Sequence, residues 1–188
     1  MLAAGAGTRF GGAKALATHP DGTPWLATAI RALADAGCSP VLVVLGASAD
    51  EAAVLLGTLP ESGRRRRRAR RRLGRRHVRL PARRAPGGRG AGSPPVALAV
   101  APVDVPDLDA ATVRRVLDAA PVDPATALRQ AVFRGRPGHP ALIGRDHRAP
   151  LASAVHGDTG ARPYLAAYGA LLVEAADLST GADVDRRM

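Results

Sequence analysis

Short runs of Val, Leu and Ala alternate along the chain with segments whose apolar residues recur every three or four positions. Unbroken apolar runs of roughly four to eight residues suit strands buried on both faces, and the three-and-four spacing suits helices packed on them. Strands are predicted at 40–46 (PVLVVLG), 95–105 (PVALAVAPVDV) and 170–175 (ALLVEA). Helices are predicted at 25–37, 49–57, 109–120 and 160–169. Residues 130–145 (QAVFRGRPGHPALIGR) read as two strands around a Gly/Pro turn. Strands alternating with helices are the mark of an α/β protein with a mostly parallel sheet.

One stretch breaks this pattern. Residues 59–95 hold fourteen arginines and no acid after Glu61. Removing the +14 of this block from the formal total of +11 leaves the rest of the chain at −3, so the basic character is local. So dense a block of like charge cannot form a core strand and is expected to be disordered. With 188 residues the chain is long enough for one core, and a single domain over 1–188, interrupted at 63–94, is the expectation. Cys38 is the only cysteine, which excludes an intramolecular disulfide and points to a reducing compartment with a buried structural thiol. The chain has neither an apolar run of membrane-spanning length nor a signal-peptide pattern at residue 1, so no membrane partner and a cytoplasmic protein are expected. The start is unusual in that the glycine-rich loop follows after only three or four residues, which suggests that the natural start lies upstream of Met1.

Candidate chemistry concentrates in residues 2–16, LAAGAGTRFGGAKAL. Gly5, Gly7, Gly11 and Gly12 allow close approach of the backbone to a ligand and positive φ, so that successive N–H groups can face phosphate oxygens. Arg9 and Lys14 add a bidentate fork and a mobile point charge at the same place. The pattern is neither a Walker loop nor the dinucleotide fingerprint, and an ordinary glycine turn is the competing reading. Residues 103–108 (VDVPDL) end a buried strand on Asp104, at the carboxyl edge where α/β sheets bind ligands. A carboxylate there can hold Mg²⁺ or merely cap a turn. Asp107 and Asp109 read as helix caps. Asp158 precedes a helix start and reads on its own as an N-cap, with Gly157 and Gly160 permitting close approach and Arg162 within reach of a phosphate. Gly135, Gly138 and His139 are expected in a tight turn, His139 as a structural or solvated side chain. No nucleophile–base pair is found, so any chemistry here is expected to run on positioning and charge neutralisation.

The opening L-A-A-G-x-G-x-R-F-G-x-x-K pattern, together with APVDVPDLDAATVRRVL, GRPGHPALIGR and GDTGARPYL, resembles the MobA-like nucleotidyltransferases, and within them the molybdenum cofactor cytidylyltransferase branch. The resemblance spans nearly the whole chain except 62–94. It implies a Rossmann-like three-layer sandwich, nucleotide-diphospho-sugar transferase-like. By resemblance, Leu2, Ala3, Ala4, Gly5, Gly7, Arg9 and Lys14 bind the nucleotide. Lys14, Arg9 and Asp104 carry the reaction, and Asp104 with Asp158 holds Mg²⁺. Gly138, His139 and Arg162 border the acceptor. The implied reaction moves CMP (or another NMP) from an NTP, CTP first, to a phosphate-bearing small molecule, molybdopterin by family, with release of pyrophosphate. A molybdoenzyme would receive the product.

The arginine block departs from the family, where a strand and W-x-x-G-[MT]-x-x-S-L-R-x-G-L belong. Degenerate codons for residues 72–85, read one nucleotide later, permit W-A-D-G-T-S-A-S-L-R-A-G-L, which points to a frame slip near residue 63, restored between about 86 and 95. The tail DVDRRM also stops where the family continues with D-T-P. Two other classes stand beside the enzyme. One is an inactive remnant that only binds nucleotide, and the other is a protein whose arginine segment is a genuine nucleic-acid-binding insert.

Overall fold

The computed structural model describes residues 1–5, 9–46, 48–60, 71–72, 75–80, 94–156 and 160–186, with backbone only for 71–72 and 75–80. Eight strands and five α-helices occur among them: β1 Leu2–Ala3, α1 Trp25–Asp35, β2 Val41–Leu45, α2 Ala49–Thr58, β3 Arg71–Arg72, β4 Arg75–Leu80 and β5 Ala97–Val100; then α3 Ala110–Asp118, β6 Leu128–Phe133, β7 Arg136–Gly144, α4 Arg148–Ala154, α5 Arg162–Ala167 and β8 Leu171–Glu174. Each predicted strand and helix is found, most within about two residues of its expected bounds; the strand expected over 95–105 is shorter, ending at Val100, so that Asp104 lies in a turn four residues past the strand and not on it.

Two four-stranded ladders, β1-β2-β4-β3 and β5-β7-β6-β8, meet at β1. On one side β1 runs parallel to β2, with Leu2 opposite Val44. On the other, Leu2 bridges Pro102 in parallel, the Leu2 N–H reaching the Ala101 carbonyl at 2.8 Å and the Val103 N–H the Leu2 carbonyl at 2.9 Å. A strand of two residues is thus held on both edges. β6–β8 is also parallel, whereas β5–β7 and β6–β7 are antiparallel, so the sheet is mixed.

β6 is buried at all six positions, which requires cover on both faces. Period-two alternation assigns that cover. Leu142, Ala131 and Phe133 cluster with Val116 of α3, while Leu128, Ala141 and Ile143 cluster with Tyr164 and Leu165 of α5. α1 buries Leu26, Ile30 and Leu33 in the largest core, with Val43 and Leu45 of β2. The result is a three-layer α/β arrangement.

Within the stretch expected to be disordered, β4 pairs antiparallel with β2, Val78 opposite Val43, and β3 pairs with β4. A ladder is made of main-chain N–H and C=O groups and does not require apolar side chains. The rest of 61–93 lies outside the described residues. The expected turn at 135–140 is shorter than predicted: only Arg134 and Gly135, at φ 53° and 76°, form it, and both N–H groups donate to the Glu174 carboxylate. Positive φ at both central residues matches the twist of a two-residue hairpin. Gly138 and His139 lie inside β7. Cys38 is half-buried, and burial pushes its thiol up.

Candidate active site

The parallel strands at the junction deliver their carboxyl ends to one place. β1 leads into Ala4 and Gly5, β2 into Gly46, and the continuation of β5 into Asp104. Gly46 permits this convergence, because a Cβ there would lie 2.1 Å from the Ala4 carbonyl oxygen. Leu2, Ala3, Ala4, Gly5, Lys14 and Asp104, with Val44, Pro102 and Val103, line a cavity of about 220 Å³. Six residues singled out from the sequence therefore share one wall. A second hollow of about 190 Å³, beside His147 and Tyr168, contains none of them.

Lys14 opens a short 3-10 turn, Lys14–Leu16, whose Ala15 is buried. Its Nζ donates to Asp104 Oδ2 at 2.9 Å and to Asp185 Oδ1 at 2.7 Å. Burial pulls the ammonium down, but hydrogen bonds to Asp185 and Asp104 and the charges of both outweigh it, and the net shift is upward. The Lys14 hydrogen bond and charge hold the exposed Asp185 carboxyl below its ordinary value. Lys14 is the only lysine in the chain. Two carboxylate oxygens thus converge on one cationic point at the cavity wall. That donor set suits a hard divalent ion, which takes few protein oxygens and completes its shell with water and phosphate. Among the described residues no group of three or more His, Cys, Asp or Glu side chains is arranged so that it could hold a metal ion.

Other predicted residues fall differently. Arg9 is exposed and outside the cavity lining, and its charge acts on Asp185. Gly11 takes φ +80°, the only positive φ among the described glycines of the loop. Gly7, Gly157 and Asp158 lie outside the described residues. His139 is half-buried, and desolvation lowers its pKa. Its Nδ1 is 3.3 Å from the Val100 carbonyl, which can only accept, so Nδ1 carries the proton and Nε2 is left as an acceptor. Asp104, Asp183 and Arg162 all act on this imidazole electrostatically, but Gly138, His139 and Arg162, expected on the acceptor side, are not among the residues lining the cavity. Arg162 opens α5 and reaches the Pro137 carbonyl at 3.4 Å. Asp109 caps α3 by accepting from the Thr112 N–H at 2.7 Å. Asp107 does not cap it: its Oδ2 accepts from Thr180 N–H at 2.6 Å and Oγ1 at 2.7 Å, because the chain returns past this edge after β8. Asp185 was not found from sequence. Its only signal there is an acid pair, Asp183 and Asp185, in the tail, and its role depends on a fold that brings the tail back to residue 14.

A glycine loop on the carboxyl edge of an α/β sheet, with an ammonium and a carboxylate just past a strand facing the same cavity, places the protein among enzymes that handle nucleoside triphosphates. The chain belongs to the MobA-like NTP transferase family, whose domain model matches residues 1–76 and 84–172, and it is accordingly a nucleotidyltransferase-type enzyme working on an NTP with a divalent metal. The gap in the match, 77–83, falls within the arginine stretch. Nicotine blue oxidoreductase of Paenarthrobacter nicotinovorans is 31% identical over 208 aligned residues, covering 98% of this chain and 90% of the relative. Among solved structures, Rv0371c from Mycobacterium tuberculosis H37Rv matches with a TM-score of 0.62 at 24% identity, covering 98% of this chain and 90% of that one. Its homolog from Mycobacterium sp. strain JC1 matches at 0.63 and 22% identity, covering 99% and 88%. These two likenesses concern the fold. Among the described residues no helix is long and apolar enough to cross a membrane.

Proposed function

We propose that the protein transfers CMP from CTP to a phosphate-bearing acceptor of the molybdopterin class and releases pyrophosphate. The observation that carries this reading is the single cavity in which the glycine loop, Lys14 and Asp104 converge. The Ala4–Gly5 backbone and Lys14 hold the triphosphate, with Arg9 at the loop's outer side. An acceptor phosphate oxygen attacks the α-phosphorus, the bond to the bridging oxygen breaks, and the electrons leave on pyrophosphate. In this reading Lys14, on the cavity wall, neutralises charge building on those leaving oxygens. Asp104 and Asp185 would hold Mg²⁺, which when bound supplies further neutralisation of phosphate charge; Asp158 remains a second candidate from sequence. Neutral His139 offers its Nε2 lone pair, and Arg162 a positive charge, on the acceptor side. The product would pass to a molybdoenzyme.

Pyrophosphate release from each of the four NTPs, with Mg²⁺ and molybdopterin, tests the reading. CTP is expected to be used at least tenfold better than the others. Preference for another base would overturn the CTP assignment, and no release with any of them would overturn the transferase reading. A second reading follows from the curated relative, whose name is that of an oxidoreductase. It predicts a redox reaction with no release of pyrophosphate.

Within the proposed function the arginine stretch is a shifted frame. Resequencing of the DNA across codons 55–100 is expected to reveal one inserted or deleted base and to restore W-x-x-G-[MT]-x-x-S-L. Confirmation of the present frame would instead make the segment a feature in its own right, to be tested for RNA or heparin binding that disappears when 64–90 are deleted.

A further inference from the structure

The segment after β8 does not leave the molecule; it returns along the edge that carries Asp104. Thr180 is fixed at one end by both of its donors, N–H and Oγ1–H, on the same Asp107 oxygen. The Thr180 hydroxyl in turn accepts from the Ala182 N–H at 3.2 Å, and the Gly181 N–H donates to Ser179 Oγ at 3.1 Å. Gly181 turns the chain at φ +62°, and a Cβ there would meet the Phe133 ring at 2.1 Å, so no other residue fits without a shift. Beyond the turn, the Val184 N–H donates to the Asp104 carbonyl at 2.9 Å and Asp185 meets Lys14. Asp185 lies five positions beyond the Thr180 anchor. In extended chain a slip of one residue moves each group by about 3.3 Å, enough to break the 2.7 Å contact with Lys14.

We propose that Asp107 is a positioning residue: by holding Thr180 it sets the register of residues 179–186 and so places the Asp185 carboxylate on Lys14, beside Asp104. The consequence for nucleotide transfer rests on the function proposed above, whereas the register itself does not. Asp107 touches neither Lys14 nor the cavity, and it acts only through the returning segment. Both Thr180 donors converge on one oxygen, so the side-chain carbonyl oxygen of asparagine can replace it and alanine cannot.

Two measurements on the full chain test this. Hydrogen exchange of the 178–186 peptide reads the register. Acylation of Lys14 by a soluble amine reagent, followed by mass spectrometry of the trypsin-digested chain, reads the placement: the chain has no other lysine, and the Met1 α-amine falls on a separate peptide because Arg9 lies between them. In Asp107→Ala the tail amides are expected to exchange at least tenfold faster and Lys14 to acylate at least tenfold faster, with exchange in α1 and β6 unchanged. Asp107→Asn is expected to stay within about twofold of the parent in both. Thr180→Val, which keeps the N–H and loses the hydroxyl, should fall between them, and it serves if the alanine variant fails to fold. Unchanged tail exchange in Asp107→Ala overturns the anchor, and faster exchange with unchanged Lys14 acylation overturns the placement. An asparagine variant that behaves like alanine overturns the two-donor geometry. Absence of nucleotide transfer in the parent chain would overturn the proposed function and leave both readouts decisive.

Discussion

Lys14→Ala is expected to lower kcat/KM for nucleotide transfer by about 10²–10³-fold, the range seen when a preorganised donor to a developing oxyanion is removed. Lys14 is the cation that the cavity wall carries, and both of its carboxylate partners hold it there. Without it the leaving pyrophosphate loses its neutralising charge, and Asp104 and Asp185 are left facing one another. Folding should change little, within about 1 kcal/mol, because Asp185 is more than half exposed and Asp104 has access to water. Lys14→Arg should recover part of the rate: it restores the charge, but a planar fork does not fit the site of a point charge. Steady-state pyrophosphate release together with thermal unfolding decides the matter. A rate within threefold of the parent would remove Lys14 from the triphosphate site, and a collapse of stability would make its role structural.

The second large effect is on stability. Arg129, on β6, is 3% exposed, and its guanidinium donates to three carbonyls at the end of α3: Val116 at 3.1 Å, Leu117, and Ala120 at 2.6 Å. The last carbonyls of a helix have no partner within it, and the negative end of the helix dipole favours a cation there. Arg129 thus fastens the helix on one face of the sheet to a strand of that sheet. Arg129→Ala removes these bonds and leaves buried acceptors unsatisfied, at an expected cost of about 2–4 kcal/mol. Arg129→Lys supplies a single ammonium in place of the fork and should recover less than half of that loss. Urea unfolding monitored by circular dichroism measures both. A loss below about 1 kcal/mol for alanine would mean that water takes over the carbonyls and that the clamp contributes little.

Much of this architecture can be read from local pattern. The apolar runs at 40–46, 95–105 and 170–175 are strands as expected, but the run at 170–175 is not buried: in β8, the last strand of its ladder, only Val173 is covered and Leu171 and Leu172 are exposed. The three-and-four spacing at 25–37 and 109–120 marked α1 and α3. α4 was not legible because none of its residues is buried, so it carries no apolar stripe, and it includes Pro150. The short hairpin turn was read too long because glycine and proline are common both in turns and at strand positions that pack closely, as Gly138 does on Phe133. The pairing of 75–80 with β2 was not legible either, since it depends on an open strand edge 30 or more residues earlier and not on the arginine side chains.

In the site, the sequence by itself determined the components that lie close together in the chain: a glycine loop followed by a lysine, and an aspartate just past a strand, four residues beyond the end of β5. Local chemistry suffices there, because close backbone approach needs glycine and a phosphate needs a cation nearby. Only the tertiary structure decided that Lys14 and Asp104, 90 positions apart, share a hydrogen bond, and that Asp185, 171 positions from Lys14, completes the pair. It also reassigned Asp107 from a helix cap to an anchor for the returning tail. Contacts at such separations have no local signature. They are set by β1, held between β2 and the end of β5, and by a tail whose register depends on side chains far away in sequence.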